Sequence, residues 1–238
     1  MHARTGVAVF RLLACRLPVP RDFYRYPVKM SVRKLRLAAE CQHHALEHII
    51  VDGEDRALST RDLNSLRTYC DERVLTLRGI HAESLAFLNE WKELRGLKVY
   101  ACKVANWDVL ATLPHLKDLW YHTNRDKTPD LSFLSRLTQL ETLGIGYVTH
   151  LKEFPNLSHC KRLKKLTIFT CNRLCDVESV VHIPKLQSFS IVGTPLVPAD
   201  LQEIMAMRSL KTISGAFGSK TRDSEFRQLL AEHGLKYG

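Results

Sequence analysis

A phase of apolar residues returns along this chain every 22 to 24 positions, and few folds are compatible with it. Its clearest copy runs Leu94, Leu97, Val99, Cys102, Val104, Trp107, Leu110, Leu113. Further copies start at Leu116 (Leu119, Tyr121, Asn124), Leu140 (Leu143, Ile145, Val148), Leu163 (Leu166, Ile168, Cys171), Leu186 (Phe189, Ile191, Thr194) and Leu210 (Ile213). Successive starts differ by 22, 24, 23, 23 and 24 residues. A fixed period in this range belongs to stacked coils, each too small to bury its own apolar face. The alternating Leu-x-Leu stretch of each copy predicts a short strand, and stacking makes those strands a parallel sheet. The back half of each copy predicts a turn or short helix, through Phe154 and Leu157, then Val177, Val180 and Ile183, then Leu201, Ile204 and Met207. Prolines 114, 155, 184, 195 and 198 all fall outside the predicted strands, where a missing N–H does no harm.

Charge is informative only once it is located. The net charge is +10 over 238 residues. Residues 1–40 hold nine Lys/Arg and two acids, or +7, which leaves +3 for the other 198. A phosphate-binding surface needs its cations on the folded body, so nucleic acid is not the expected partner. No run of 18 apolar residues is present to span a bilayer. Seven cysteines at irregular spacings do not form a disulfide framework. Cys102 and Cys171 share one repeat position, in the turn leaving the strand, where a reduced, buried thiol is expected.

Four regions follow. Residues 1–29 form a basic leader outside the pattern, with Arg11 interrupting Val7–Ala14. Export, organelle targeting, a disordered leader and translation from Met30 all remain open for it, and a cytoplasmic protein is the simplest expectation. Residues 30–71 read as an N-terminal cap, with a helix over Ser31–Leu46, an echo of the phase at Leu46, Ile49 and Val51, and Thr60 as a helix N-cap. Residues 72–215 are the repeats, beginning with a degenerate copy through Leu75, Leu77 and Ile80. Residues 216–238 are a C-terminal capping helix, with Phe226, Leu229 and Leu230 on one face and Gly234 as its stop.

The copies quoted above resemble the leucine-rich repeat family, in the 22-residue form of internalins and SDS22-like proteins. The resemblance covers roughly residues 72–215. It implies an α/β leucine-rich repeat solenoid, with a curved parallel sheet on the concave face and short turns or helices on the convex face. It also implies a protein-binding scaffold but not a shared ligand, and a non-catalytic protein without a cofactor is the expectation. Ile80, Val148 and Thr194 stand where the family has Asn, so its side-chain ladder is expected to be incomplete. Extra residues, for example over Arg125–Asp130, are expected to make the curvature irregular.

The phase also tells which residues line the concave face. Between the two strand leucines come Thr76, Lys98, Trp120, Gly144, Thr167, Ser190 and Ser214. Two positions on lie Arg78, Tyr100, His122, Gly146, Phe169 and Val192, and next to those Gly79, Ala101, Thr123, Tyr147, Thr170 and Gly193. Large aromatics therefore gather mid-sheet. Tyr100, Trp120, Tyr147 and Phe169 are the expected anchors for a protein partner, and Lys98, His122, Lys164 and Thr167 the polar rim. A second reading uses the basic leader and the Lys161–Lys165 cluster to bind nucleic acid or an anionic surface. A third notes that His44-Ala45-Leu46-Glu47-His48 matches a zinc-peptidase helix, although a solenoid offers no catalytic domain around it, and that Cys41, His44 and His48 could instead hold a structural or adventitious metal. Cys171 and Cys175 lack zinc-knuckle spacing, and Gly215–Thr221 lacks phosphate-loop spacing. The oligomeric state is open.

Overall fold

A computed structural model describes residues 73–122 and 130–238, together with the backbone of two strands, Val28–Met30 and Ile49–Asp52. The helix expected over Ser31–Leu46, the Thr60 cap, the His44–His48 motif, Thr123, Asn124 and most of the Arg125–Asp130 insertion lie outside the described residues.

Among the described residues, ten strands form one parallel sheet in an order that follows the chain. They are β1 (Val28–Met30), β2 (Ile49–Asp52), β3 (Val74–Arg78), β5 (Gly96–Tyr100), β7 (Asp118–His122), β8 (Thr142–Gly146), β9 (Lys165–Phe169), β10 (Ser188–Val192), β11 (Thr212–Ala216) and β12 (Lys236–Tyr237). Among the described residues the first strand of this sheet is Val28–Met30, which crosses the boundary expected between leader and cap. Two further strands, β4 (His81–Ser84) and β6 (Lys103–Asn106), pair separately just after the turns that leave β3 and β5.

Register runs unbroken along the repeats. Leu75, Leu97, Leu119, Leu143, Leu166, Phe189 and Ile213 stand side by side, as do Leu77, Val99, Tyr121, Ile145, Ile168 and Ile191. Every one of these side chains is buried. Burying one such side chain stabilises by about 1.5–3 kcal/mol. Half of each contact belongs to the next coil, so stability is shared between neighbours rather than held within one repeat.

The convex side is built mainly from single 3-10 turns: Ala86–Glu90, Asp108–Thr112, Ser132–Arg136, Glu178–His182 and Pro198–Leu201. Phe154, Leu157, Val177, Val180, Ile183, Leu201 and Ile204 are buried beneath them, and Met207 packs against the same core. Most of these turns start at one recurring device. A side-chain oxygen of Asn106, Asp130 or Asp176 accepts the backbone N–H two residues on, at 2.7–2.8 Å. Asn156 does the same at 2.9 Å, and Ser84 more weakly at 3.4 Å. Such a bond satisfies an N–H that the first turn would otherwise leave orphaned. Helices α1 (Gln202–Met205) and α2 (Lys220–Glu232) follow at the C-terminal end. Ser219 caps α2 by accepting from the Arg222 N–H, and Phe226 and Leu230 bury one face of it against the last coil. Gly234 (φ +64°) ends it.

Candidate functional site

Concave side chains fall into two lanes fixed by the strand register. The first is Thr76, Lys98, Trp120, Gly144, Thr167, Ser190 and Ser214; the second is Arg78, Tyr100, His122, Gly146, Phe169, Val192 and Ala216. The first matches the lane read from the phase, and the second matches with Ala216 added to it.

Strand β8 is the seat of the site. Its Gly144-Ile145-Gly146 sequence presents no side chain to the concave face. The Trp120 indole from β7 lies in the first gap, so a Cβ on Gly144 would fall 2.3 Å from its Cε3. The Phe169 ring from β9 lies in the second, 2.2 Å from where a Gly146 Cβ would stand. Two large rings from the flanking strands thus lean inward over one bare strand, which leaves each of them only half-buried.

His122 is the hub of what results. Its imidazole meets Phe169 at 4.5 Å and Tyr100 at 4.6 Å between ring centroids, both edge-on. Trp120 follows at 5.8 Å and Tyr147 at 6.3 Å, and Tyr147 itself meets Phe169 edge-on at 5.4 Å. Edge-to-face geometry suits the ring quadrupoles. Burial among these rings, with the Lys98 charge as a lesser cause, lowers the His122 pKa to about 4, so the ring is neutral near pH 7. Its Nε2 is buried and has no hydrogen-bond partner among the described residues; Thr76 Oγ1 is in the same position. Burial also raises the Tyr100 pKa, which keeps that hydroxyl protonated.

Tyr147 stands apart by its backbone. It has φ +57°, in line with Gly79 (+62°), Ala101 (+50°), Thr170 (+52°) and Gly193 (+67°). All five occupy the first position past the strand, where the chain turns away left-handed. At four of them the N–H still reaches the carbonyl of the next strand: Gly79 to Tyr100, Ala101 to His122, Tyr147 to Phe169 and Thr170 to Val192. A tyrosine in this conformation is strained by roughly 1–2 kcal/mol, and the residue is 45% exposed.

Of the eight residues expected at the site, the structure brings Tyr100, Trp120, His122, Tyr147 and Phe169 into mutual contact. Lys98 and Thr167 flank them in the first lane, beside Trp120 and Gly144. Lys164 does not join them. It precedes β9, five residues before Phe169, or about 16 Å along an extended strand. There its Nζ meets Glu141 Oε2 at 2.9 Å, while Lys117 holds Oε1 of the same carboxylate at 2.8 Å. Those two hydrogen bonds lower the Glu141 pKa to about 2. The residues that sequence reading missed are the two glycines. Their signal was present, as small residues at both concave positions of one strand between strands bearing large rings.

Among the described residues, the buried cysteines behave as packing residues. Cys102 and Cys171 are buried in the exit turns. Cys102 Sγ accepts from the Ile80 N–H at 3.4 Å and lies 3.5 Å from the Tyr100 carbonyl; Cys171 Sγ lies 3.6 Å from that of Phe169. Each thiol takes over part of the ladder that Ile80 and Val148 cannot make. Burial raises the Cys160 pKa to about 11.

No family model matches the chain, and no curated protein matches it. Among solved structures it is similar to an internalin (inlF) of Listeria monocytogenes, at 19% identity and a TM-score of 0.51, over 87% of this chain and 61% of that one. It is also similar to internalin C2 (inlC2) of the same organism, at 15% identity and a TM-score of 0.45, over 66% of this chain and 65% of that one. This chain thus spans less than two thirds of either internalin chain. The likeness to inlF shows the fold, a leucine-rich repeat solenoid.

Proposed function

We propose that this solenoid is a protein-recognition scaffold whose contact surface is the aromatic centre of the concave face. One observation carries the reading. Tyr100, Trp120, Phe169 and Tyr147 are partly or well exposed, contiguous and gathered on four adjacent coils, with exposed Val192 beside them. Contiguous exposed apolar surface is uncommon on a monomer away from an interaction site. Aromatic side chains also dominate interface energies. Sheet strands hold the rings before any partner arrives, so little ordering entropy is lost on association. Lys98 and Thr167 supply polar contacts at the border, and Tyr147 is the most exposed anchor.

The neutral His122 gives the surface a polar point at its centre. A partner able to reach Nε2 would supply a hydrogen bond that this buried atom lacks among the described residues, and an unmet buried polar atom costs about 1–3 kcal/mol. Among the described residues, the thiols of Cys160, Cys171 and Cys175 are free, which suits a reducing compartment, and a cytoplasmic location is part of the proposal. No helix among the described residues is long and apolar enough to cross a membrane.

The test is capture from native lysate by tagged full-length protein, followed by calorimetry with the purified partner. Tyr147→Asn and Trp120→Ala serve as comparisons, because Asn tolerates the left-handed backbone. The expected outcome is affinity at least about tenfold weaker for both variants, with thermal transitions retained. Equal affinity for wild type and Tyr147→Asn would remove the concave face from consideration.

A further inference from the structure

The repeat body has a small net charge, but its charges are sorted. Before each strand the chain crosses an exposed edge, and in three successive coils this edge spans residues 161–165, 184–188 and 208–212. Those fifteen positions carry no acid. They carry seven cations, of which Lys161, Arg162, Lys165, Lys185, Arg208 and Lys211 are exposed and make no ion pair among the described residues; Lys164 is held by Glu141. On the side where the first two of these coils leave the strand and begin the convex turn, the acids Asp176, Glu178, Asp200 and Glu203 outnumber the single Lys/Arg, Arg173. Backbone chemistry explains that half of the sorting, since Asp176 and Asp200 bond the N–H groups that open those turns. Nothing in the fold requires cations on the other edge. Coils in a parallel sheet repeat at about 4.8 Å, so the six unpaired charges crowd within roughly two such steps along the solenoid axis. That is close enough for mutual repulsion at physiological salt.

We infer that this strand-entry edge docks a short acidic segment of a protein partner. Charge complementarity selects an anion, and two features select carboxylates over a nucleic-acid backbone. Glu141 already shows the geometry: its carboxylate bridges Lys117 and Lys164, one strand to either side, with 2.8 and 2.9 Å contacts. The three edge segments also hold no Phe, Tyr, Trp or His on which a base could stack, and single-stranded nucleic acid relies on such platforms. Consecutive Glu or Asp side chains would repeat the Glu141 contact on the next coils. The inference does not depend on the aromatic centre, which lies toward the opposite ends of the strands.

The probe is a fluorescein-labelled twelve-residue peptide of alternating Glu and Ser, titrated against full-length protein and read by anisotropy. One variant reverses the edge (Lys161→Glu/Arg162→Glu/Lys165→Glu). A second makes the same change in net charge on the exposed face of α2 (Lys220→Glu/Arg222→Glu/Arg227→Glu). Circular dichroism confirms that both fold. Edge reversal is expected to weaken the peptide by about tenfold or more while α2 reversal leaves it within about twofold, with affinity falling steeply as salt rises. Trp120→Ala should bind this peptide as wild type does, which separates the inference from the concave-face proposal. Equal losses in the two reversal variants would reduce the effect to net charge and overturn the inference, as would no binding, or no loss on edge reversal. Tighter, edge-dependent binding of a twelve-nucleotide oligothymidylate would overturn the choice of an acidic protein segment.

Discussion

A histidine at the centre of a ring cluster turns local packing into a pH response. The His122 pKa falls from an ordinary value near 6.5 to about 4 because neighbouring rings replace its water. Between those values the unfolded chain binds a proton that the folded chain refuses. Stability therefore falls as pH drops through that window, and the contribution of His122 is intact only above it. In a His122→Phe variant the corresponding part of the slope should vanish. Urea midpoints measured from pH 7 to pH 4.5 for both proteins check this, and parallel curves would refute it. Glu141 loses its own contribution as pH falls from its unfolded value near 4.5 toward about 2, and it does so equally in both proteins, so it cancels in the comparison. The seat beneath the rings is testable too. A methyl group at Gly144 would displace the Trp120 indole, at a cost of about 1–3 kcal/mol. Trp91 and Trp107 are buried, so a red shift in emission from Gly144→Ala would report the displaced Trp120. Unchanged emission would show that the indole does not rest on Gly144.

At the scale of the element, one coil is a strand, a left-handed exit, a capped 3-10 turn and a return. The strand was legible because its two apolar positions recur with a fixed step, and Leu97–Val99 or Leu166–Ile168 can face only inward. The exit was not. Gly79, Ala101, Tyr147, Thr170 and Gly193 share no chemistry, since backbone geometry rather than side chain defines that position. The caps were legible in principle: Ser84, Asn106, Asp130, Asn156 and Asp176 all precede a convex turn by the same two residues. They escape a search for apolar period because they are polar, and because variable coil lengths shift them against the leucines. The rings of the candidate site were readable from strand alternation. Their convergence on His122 was not, because it depends on the absent side chains of Gly144 and Gly146. Lys164 shows the limit of the same method, since its register places it on the edge while only coordinates reveal Glu141 beside it. The caps support a prediction of their own. Asp176→Ala removes the acceptor of the Glu178 N–H and should cost about 1 kcal/mol in urea unfolding. Asp176→Asn keeps an acceptor and should cost only a few tenths. Equal losses in the two variants would mean that the carboxylate charge, not the hydrogen bond, does the stabilising.

Over the whole molecule, every inner coil is covered on two sides and the end coils on one, so the ends govern whether the stack persists. At the C-terminal end, α2 folds back over the last full coil. Phe226 lies 5.0 Å from Phe217 and 6.4 Å from Tyr237, and strand β12 adds a final rung beside β11. Together they cover Ile213 and close an edge that would otherwise present unpaired N–H and C=O groups to another chain. Phe226→Ala should therefore cost about 3–5 kcal/mol, comparable to truncating a buried side chain in the middle of the stack. Leu166→Ala in β9 is the matched comparison, expected at about 2–5 kcal/mol. Deleting residues 219–238 goes further, because it uncovers Phe217 and Ile213 and frees the β11 edge at once. The truncated chain should show a lowered thermal midpoint together with concentration-dependent association in sedimentation velocity. Association is the discriminating part of the result. A merely weakened stack would melt early and stay monomeric, whereas an uncapped parallel edge recruits a second copy along the solenoid axis. A truncated chain that melts like wild type and sediments as wild type does at every concentration would show that the last coil needs no cover.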